Sequence, residues 1–191
     1  MHILVTPRLT LRPPIALDAD DIAHWLSDWD VAKMLGRVPW PYSLEEAEKW
    51  VATMSDPQKQ IYTIHRQSLI GVAGFVGNGA TCSLGYWLAK PWQGRGFMRE
   101  ALTCLFDFVF SHQELLKIEA GVVADNPASL KLQLGLGFEI TGEIETDSVP
   151  RGSRVQVITT SLAREAWLNR RIAGMATAIP SHQQQSSQFA A

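Results

Sequence analysis

Residues 85–101 read Gly85-Tyr86-Trp87-Leu88-Ala89-Lys90-Pro91-Trp92-Gln93-Gly94-Arg95-Gly96-Phe97-Met98-Arg99-Glu100-Ala101. They join the end of a β-rich run, Cys82 to Leu88, to a glycine-bearing loop and then to a long helical pattern. In that helix Phe97, Ala101, Leu105, Phe108 and Val109 share one face, widened by Met98, Leu102 and Phe106. Arg99, Thr103, Asp107 and Ser111 share the opposite face, a division that implies deep packing on a sheet. The glycines let the chain turn tightly, so that successive N–H groups point into one concavity at a helix N-terminus, a phosphate-binding nest. An ordinary strand-to-helix turn is the alternative. Two nucleotide motifs are excluded: the chain has no Gly-Lys pair for a Walker loop, and Arg99 stands where a dinucleotide fingerprint needs a third small residue.

Downstream, Lys117 to Ala124 is β-rich, Asn126-Pro127 opens a second helix as N-cap and first helical residue, and Gly135-Leu136-Gly137 stops it. Phe138 to Thr146 and Arg154 to Ser161 read as a final strand pair, followed by a short helix from Arg164 to Arg171. Upstream, Arg8-Leu9-Thr10-Leu11-Arg12 alternates as a strand ended by Pro13-Pro14, and Asp18 and Asp20 open an amphipathic helix through Leu26. Ser43-Leu44-Glu45-Glu46 makes a capping box. Strands at Ile61 to His65 and Leu69 to Val76 come next, the latter forming a hairpin with Cys82 to Leu88 around Gly77-Asn78-Gly79. This order predicts a mixed α/β (α+β) fold, a central sheet flanked by helices in one domain over residues 1–171. Residues 172–191 carry no charged side chain and read as an uncharged, flexible tail.

Of 191 residues, 46% are hydrophobic, enough for a core without disulfide or metal staples. The 17 Lys and Arg against 19 Asp and Glu give a net charge of −2, which excludes a polyanion binder held by global positive charge. Cys82 and Cys104 form no Cys-x-x-Cys pair and sit in apolar surroundings, so they read as reduced core thiols and no metal site is expected. No leader or membrane-spanning pattern is evident, and a soluble cytoplasmic protein is the expectation.

The sequence resembles the GNAT superfamily of acetyl-CoA-dependent N-acetyltransferases, in particular its RimJ/RimL-like branch. The family's Gln/Arg-x-x-Gly-x-Gly/Ala loop is matched by Gln93 and Gly96, with Met98 departing at the last position. The branch's other marks stand in order at Pro7 to Arg12, Gly85-Tyr86-Trp87-Leu88, Glu100-Ala101, and Asn126-Pro127-Ala128-Ser129 through Gly137-Phe138.

The resemblance implies a GNAT-like, mostly antiparallel sheet and acetyl-CoA as co-substrate, with no metal. It implies that backbone groups of Leu88 pair with pantetheine and polarise the thioester carbonyl. Amides of Gln93, Gly94, Arg95, Gly96, Phe97 and Met98 would hold the pyrophosphate. Asn126 and Ser129 would lie near pantetheine and sulfur, and the acceptor amine would attack directly. Asn126 is equally explained as a helix cap, and Ser129 is either a proton donor to the departing thiolate or a small polar residue at the third helical position.

Lys90, Arg95, Arg99 and Lys131 are the cations near the proposed nest. The general base is open. The strand before the loop carries no acid, so Glu119 and His65 are candidates, each equally a structural sheet residue, beside a water chain or an amine arriving neutral. Trp25, Trp29, Trp40 and Trp50 suggest an aromatic wall at the acceptor site. The expected partner is an amine-bearing small molecule or a protein N-terminus, with no nucleic acid or membrane, and a homodimer stays open. A non-catalytic acyl-CoA-binding module of the same fold is the alternative function.

Overall fold

The computed structural model describes residues 2–177 apart from positions 57, 78 and 113. The chain lays down β1 (Leu4–Val5), β2 (Thr10–Arg12), α1 (Ala19–Leu26), α2 (Trp29–Ala32), α3 (Leu44–Ala52), β3 (Lys59–His65) and β4 (Leu69–Val76). There follow β5 (Thr81–Leu88), α4 (Phe97–His112), β6 (Lys117–Val123), α5 (Pro127–Leu136), β7 (Glu139–Ser148), β8 (Ser153–Ala163) and α6 (Arg164–Thr177). The strands form one sheet in the order β1-β2-β3-β4-β5-β6-β8-β7. Every pairing is antiparallel except β5 with β6, which is parallel.

Helices cover both faces, which is why β4 reads as a near-continuous apolar run and buries all but its last residue. One face packs on α4, α5 and Trp167 of α6; the other carries a cluster of Ala19, Ile22, Leu26, Val31, Tyr42, Ala47 and Leu69. Along α4 the buried positions are Phe97–Met98, Ala101–Leu102, Leu105–Phe106 and Val109–Phe110. The stripe is the expected face with one exchange: Phe110 joins it, and Phe108 falls off it, half-buried beside the His2 ring.

Local chemistry places the other ends. Ser43 accepts from the Glu46 N–H at 3.2 Å, while the Glu46 carboxylate pairs with Lys49. Gly137 ends α5 in the left-handed conformation, at φ 100°. Of the hairpin turn, Gly77 and Gly79 have positive φ, and Asn78 lies outside the described residues. The final helix runs past Arg171 to Thr177, into the stretch read as tail; residues 178–191 lie outside the described residues.

The N-terminal strand is tied down by charge. Arg12 donates to both oxygens of the buried Asp18 carboxylate, at 2.8 and 2.6 Å, and the Ile15 N–H donates to it at 2.8 Å. Removing the cation strands a buried carboxylate. Arg12→Met is expected to lower stability by about 3 kcal/mol or more, read as a fall in the urea midpoint at unchanged m-value.

Candidate active site

The site begins where the sheet fails to pair. β5 and β6 are in register only at Thr81–Ser83 against Lys117–Glu119. Beyond that point β5 stays with β4 as far as Leu88, and β6 stays with β8 as far as Val123. The two strands diverge, and a groove of about 1450 Å³ opens between and around them.

Alternation along each strand says which backbone groups face the groove. Ala80 C=O accepts from the Leu116 and Lys117 N–H groups, toward β6, whereas the Ala89 N–H donates to Ile70 C=O, toward β4. The even residues between them therefore turn their peptide groups away from β4: the Leu84 N–H closes the last rung of the β5–β6 ladder on Glu119 C=O, and the Leu84 C=O and the peptide groups of Tyr86 and Leu88 face the groove. The Leu88 carbonyl accepts from Gln93 Nε2 at 2.8 Å, which leaves its N–H as the open donor.

At the groove's mouth stands the glycine loop. Gly94 and Gly96 have φ of 71° and 79°, a region that other residues enter only with strain. Helical bonding in α4 starts with the Glu100 N–H donating to Gly96 C=O at 3.0 Å, so the N–H groups of Phe97, Met98 and Arg99 are orphan first-turn donors. The Gln93 N–H already donates to Lys90 C=O at 3.3 Å, so the nest starts one residue later than expected. The Met98 side chain is buried in the core, which keeps its bulk out of the concavity.

The loop is braced from the N-terminus. Arg8 donates through Nε to Glu100 at 2.6 Å and through NH1 to Arg95 C=O at 3.2 Å, and its guanidinium lies 4.4 Å from the centre of the Phe97 ring. Thr6 and the Arg8 N–H also donate to Glu100. Burial pushes the Glu100 carboxyl up, but these hydrogen bonds outweigh it and hold it below the usual range. Among the four cations expected near the nest, Lys90 is paired with Asp30 and Arg99 donates to Gly135 C=O at 3.0 Å. Arg99 and Lys131 line the groove.

On the facing side, Asn126 caps α5 by accepting from the Ser129 N–H at 3.0 Å. The Ser129 hydroxyl lies 2.7 Å from Tyr86 OH, which accepts from Gln133 Nε2 at 3.2 Å; Gln133 Oε1 accepts from Thr160 at 2.6 Å. The sequence reading gave no role to Tyr86, Gln133 or Thr160. The available signal was a glutamine four residues after Ser129, on the same helix face.

The base candidates separate. His65 lies on β3 beside Thr63 and Asp18 and does not line the groove; burial, then Arg12, push its pKa down. Glu119 does line it, half-exposed and 2.7 Å from Lys117. Of the other lining carboxylates, Asp30 pairs with Lys33 and Lys90 and Asp125 with Arg151, whereas Asp147 has no ion pair among the described residues. Neither cysteine lines the groove, and burial, then Glu119, push the Cys82 thiol up to about 12. None of Trp25, Trp29, Trp40 and Trp50 lines this groove, whose wall carries Val31, Met34, Leu35, Trp87 and Val157; Trp29 and Trp40 pack against each other, ring centres 5.2 Å apart and planes tilted by 57°.

A strand pair that splays beside a glycine loop and a helix N-terminus defines an acetyltransferase architecture, and the family comparison agrees. Residues 8–139 match the acetyltransferase (GNAT) domain, and the chain belongs to that family as an N-acetyltransferase. It is 29% identical to the uncharacterized N-acetyltransferase p20 of Bacillus licheniformis, over 87% of this chain and 99% of that one. It is 28% identical to the [ribosomal protein uS5]-alanine N-acetyltransferase of Escherichia coli K12, over 86% and 92%, which sets it on the RimJ/RimL-like branch. In fold it matches the spermidine N-acetyltransferase of Vibrio cholerae in complex with CoA and spermine, with TM-score 0.76 and 22% identity over 86% of this chain and all of the other.

A Cβ added at Gly96 would meet nothing closer than the Arg8 guanidinium, at 3.5 Å, so the positive φ and not space is what requires glycine there. Gly96→Ala forces a left-handed alanine, a strain of about 1–2 kcal/mol. Initial-rate kinetics should show KM for acetyl-CoA raised roughly tenfold with kcat within about twofold of wild type.

Proposed function

We propose that the groove binds acetyl-CoA and that the chain transfers its acetyl group to a primary amine, either a protein N-terminus or a small amine, by direct attack. The observation that carries this reading is the run of peptide groups without a strand partner, the Leu84 C=O, both groups of Tyr86 and the Leu88 N–H, facing the groove beside a positively polarised helix N-terminus. Buried peptide groups need partners, and an extended amide-bearing arm supplies them as a missing strand would. Orphan donors from Gly94 through Met98 suit a pyrophosphate.

Acetyl-CoA, when bound, supplies an activated thioester. The chain's own residues then act on it. The Leu88 N–H polarises the carbonyl as negative charge gathers on its oxygen. Ser129 gives a proton to the departing sulfur. Val31, Met34 and Leu35 of α2 and the loop after it line the opposite mouth, where the acceptor enters. An acceptor that arrives as an ammonium sheds its extra proton through that open mouth, past Asp147, before attack. Cys82 is buried and Cys104 half-buried, and neither lines the groove, so they offer no nucleophile for a covalent route. Relatives that acetylate a ribosomal-protein alanine or spermidine support the amine class. A relative acting on a ribosomal protein also supports a cytoplasmic site of action.

Acetyl-CoA at 100 times its Kd adds about 2.7 kcal/mol, which for this chain length raises Tm by roughly 5–10 °C. Free-thiol release across a panel of N-terminal peptides and polyamines should then show acceptor-dependent turnover. No Tm shift at millimolar acetyl-CoA would overturn the reading, and a shift without turnover on any amine would reduce the chain to a binder.

A further inference from the structure

Four polar side chains from three elements meet at the base of the splay: Thr160 on β8, Gln133 and Ser129 on α5, and Tyr86 on β5, all lining the groove. Thr160 and Gln133 are each 1% exposed. Apolar residues of similar size would fill that interface at lower desolvation cost, so the fold alone gives no reason for the set.

The distances orient it. Thr160 Oγ1 stands 2.6 Å from Gln133 Oε1, an O–H···O length that an amide donor does not reach, whereas 3.2 Å from Gln133 Nε2 to Tyr86 OH suits an N–H donor. The other acceptor near the Thr160 hydroxyl, Ala120 C=O, is at 3.4 Å, so Thr160 donates to Gln133. The Gln133 amide therefore donates to the Tyr86 oxygen, and the Tyr86 proton goes to Ser129 Oγ at 2.7 Å. Ser129 accepts there, and its own O–H is left to point into the groove. Its backbone N–H is fixed separately on Asn126 Oδ1.

We propose that Tyr86 is a positioning residue for acetyl transfer, turning the Ser129 O–H toward the acetyl-CoA sulfur, with Gln133 and Thr160 setting the direction of Tyr86 itself. This rests on the reading of Ser129 as proton donor. As the C–S bond breaks, its electron pair stays on sulfur and Ser129 delivers its proton there. The Tyr86 O–H stabilises the charge that gathers on the serine oxygen. Ser129 is reloaded with the proton that the acceptor nitrogen sheds as the new N–C bond forms, so no proton is gained or lost overall. Burial raises the Tyr86 phenol, outweighing its hydrogen-bond contacts with Ser129 and Gln133, so Tyr86 keeps its proton at neutral pH.

The test is a double-mutant cycle on the full chain, with kcat and KM from thiol release and acetyl-CoA Kd from calorimetry. Tyr86→Phe is expected to lower kcat by about ten- to a hundredfold while Kd stays within about twofold. Ser129→Ala should lose at least as much, and the double variant should be no slower than Ser129→Ala, because residues acting as one unit are non-additive. Thr160→Val, nearly isosteric, should lower kcat by a few-fold at unchanged Kd. Full kcat in Tyr86→Phe, or losses that multiply in the double variant, would overturn the proposal while leaving Ser129 as the acid. An unimpaired Ser129→Ala would remove the acid reading and this proposal together, with acetyl-CoA binding untouched.

Discussion

A sheet that stops pairing in its own interior is the constraint from which the rest of the molecule follows. β5 and β6 share three residue pairs and then part, each keeping its other neighbour. Parallel neighbours in a covered sheet normally stay bonded along their length, because a peptide group without a partner in a buried place is costly. Here the divergence is held open by what lies on either side. The α4 N-terminus closes one end with orphan donors, α5 stands over the gap, and the β7–β8 turn is strapped to α2. That strap consists of Arg151 reaching Lys33 C=O at 2.9 Å and pairing with Asp125, and the Val149 N–H donating to Gly36 C=O at 2.9 Å. Under the proposed function, the amide-bearing arm and pyrophosphate of acetyl-CoA complete this arrangement.

Residues far from the groove belong to it through that logic. The N-terminal Pro-Arg-Leu-x-Leu-Arg segment touches neither expected substrate, yet Arg8 anchors the glycine loop and Arg12 anchors the start of α1. The two arginines do different work. Arg8 is partly exposed and acts by geometry, holding a carbonyl and a carboxylate and stacking on a ring, whereas Arg12 neutralises a buried carboxylate. The sequence motif is therefore two clamps, one on the loop and one on the start of α1.

What was legible in the sequence was what local chemistry decides. Asn126-Pro127, Ser43 and Gly137 set helix ends through their own side chains or their lack of one, and the strand–glycine–helix run placed the loop. The apolar face of α4 was legible too, apart from one position: the sheet it lies on takes Phe110 in place of Phe108, a tertiary fact that periodicity alone does not carry. The family resemblance named Leu88, the loop and Ser129, but not that the Gln93 side chain closes on Leu88, since that contact depends on the tight turn between them. The Thr160–Gln133–Tyr86–Ser129 chain was invisible because three elements distant in sequence converge on it. The tryptophan surplus was legible as composition, but not that Trp29 and Trp40 pack against each other.

The central claim is that the unpaired edge of β5 is completed by acetyl-CoA, and residue-resolved amide hydrogen exchange tests it most directly. In the free protein the Tyr86 and Leu88 amides should exchange much faster than those of Gly85 and Trp87, which face β4. Saturating acetyl-CoA should slow the Leu88 amide and those from Gly94 to Met98 by at least about tenfold, leaving Gly85 and Trp87 unchanged. Uniform protection along β5 in the free protein, or no change at Leu88 and the glycine loop with acetyl-CoA bound, would contradict the account.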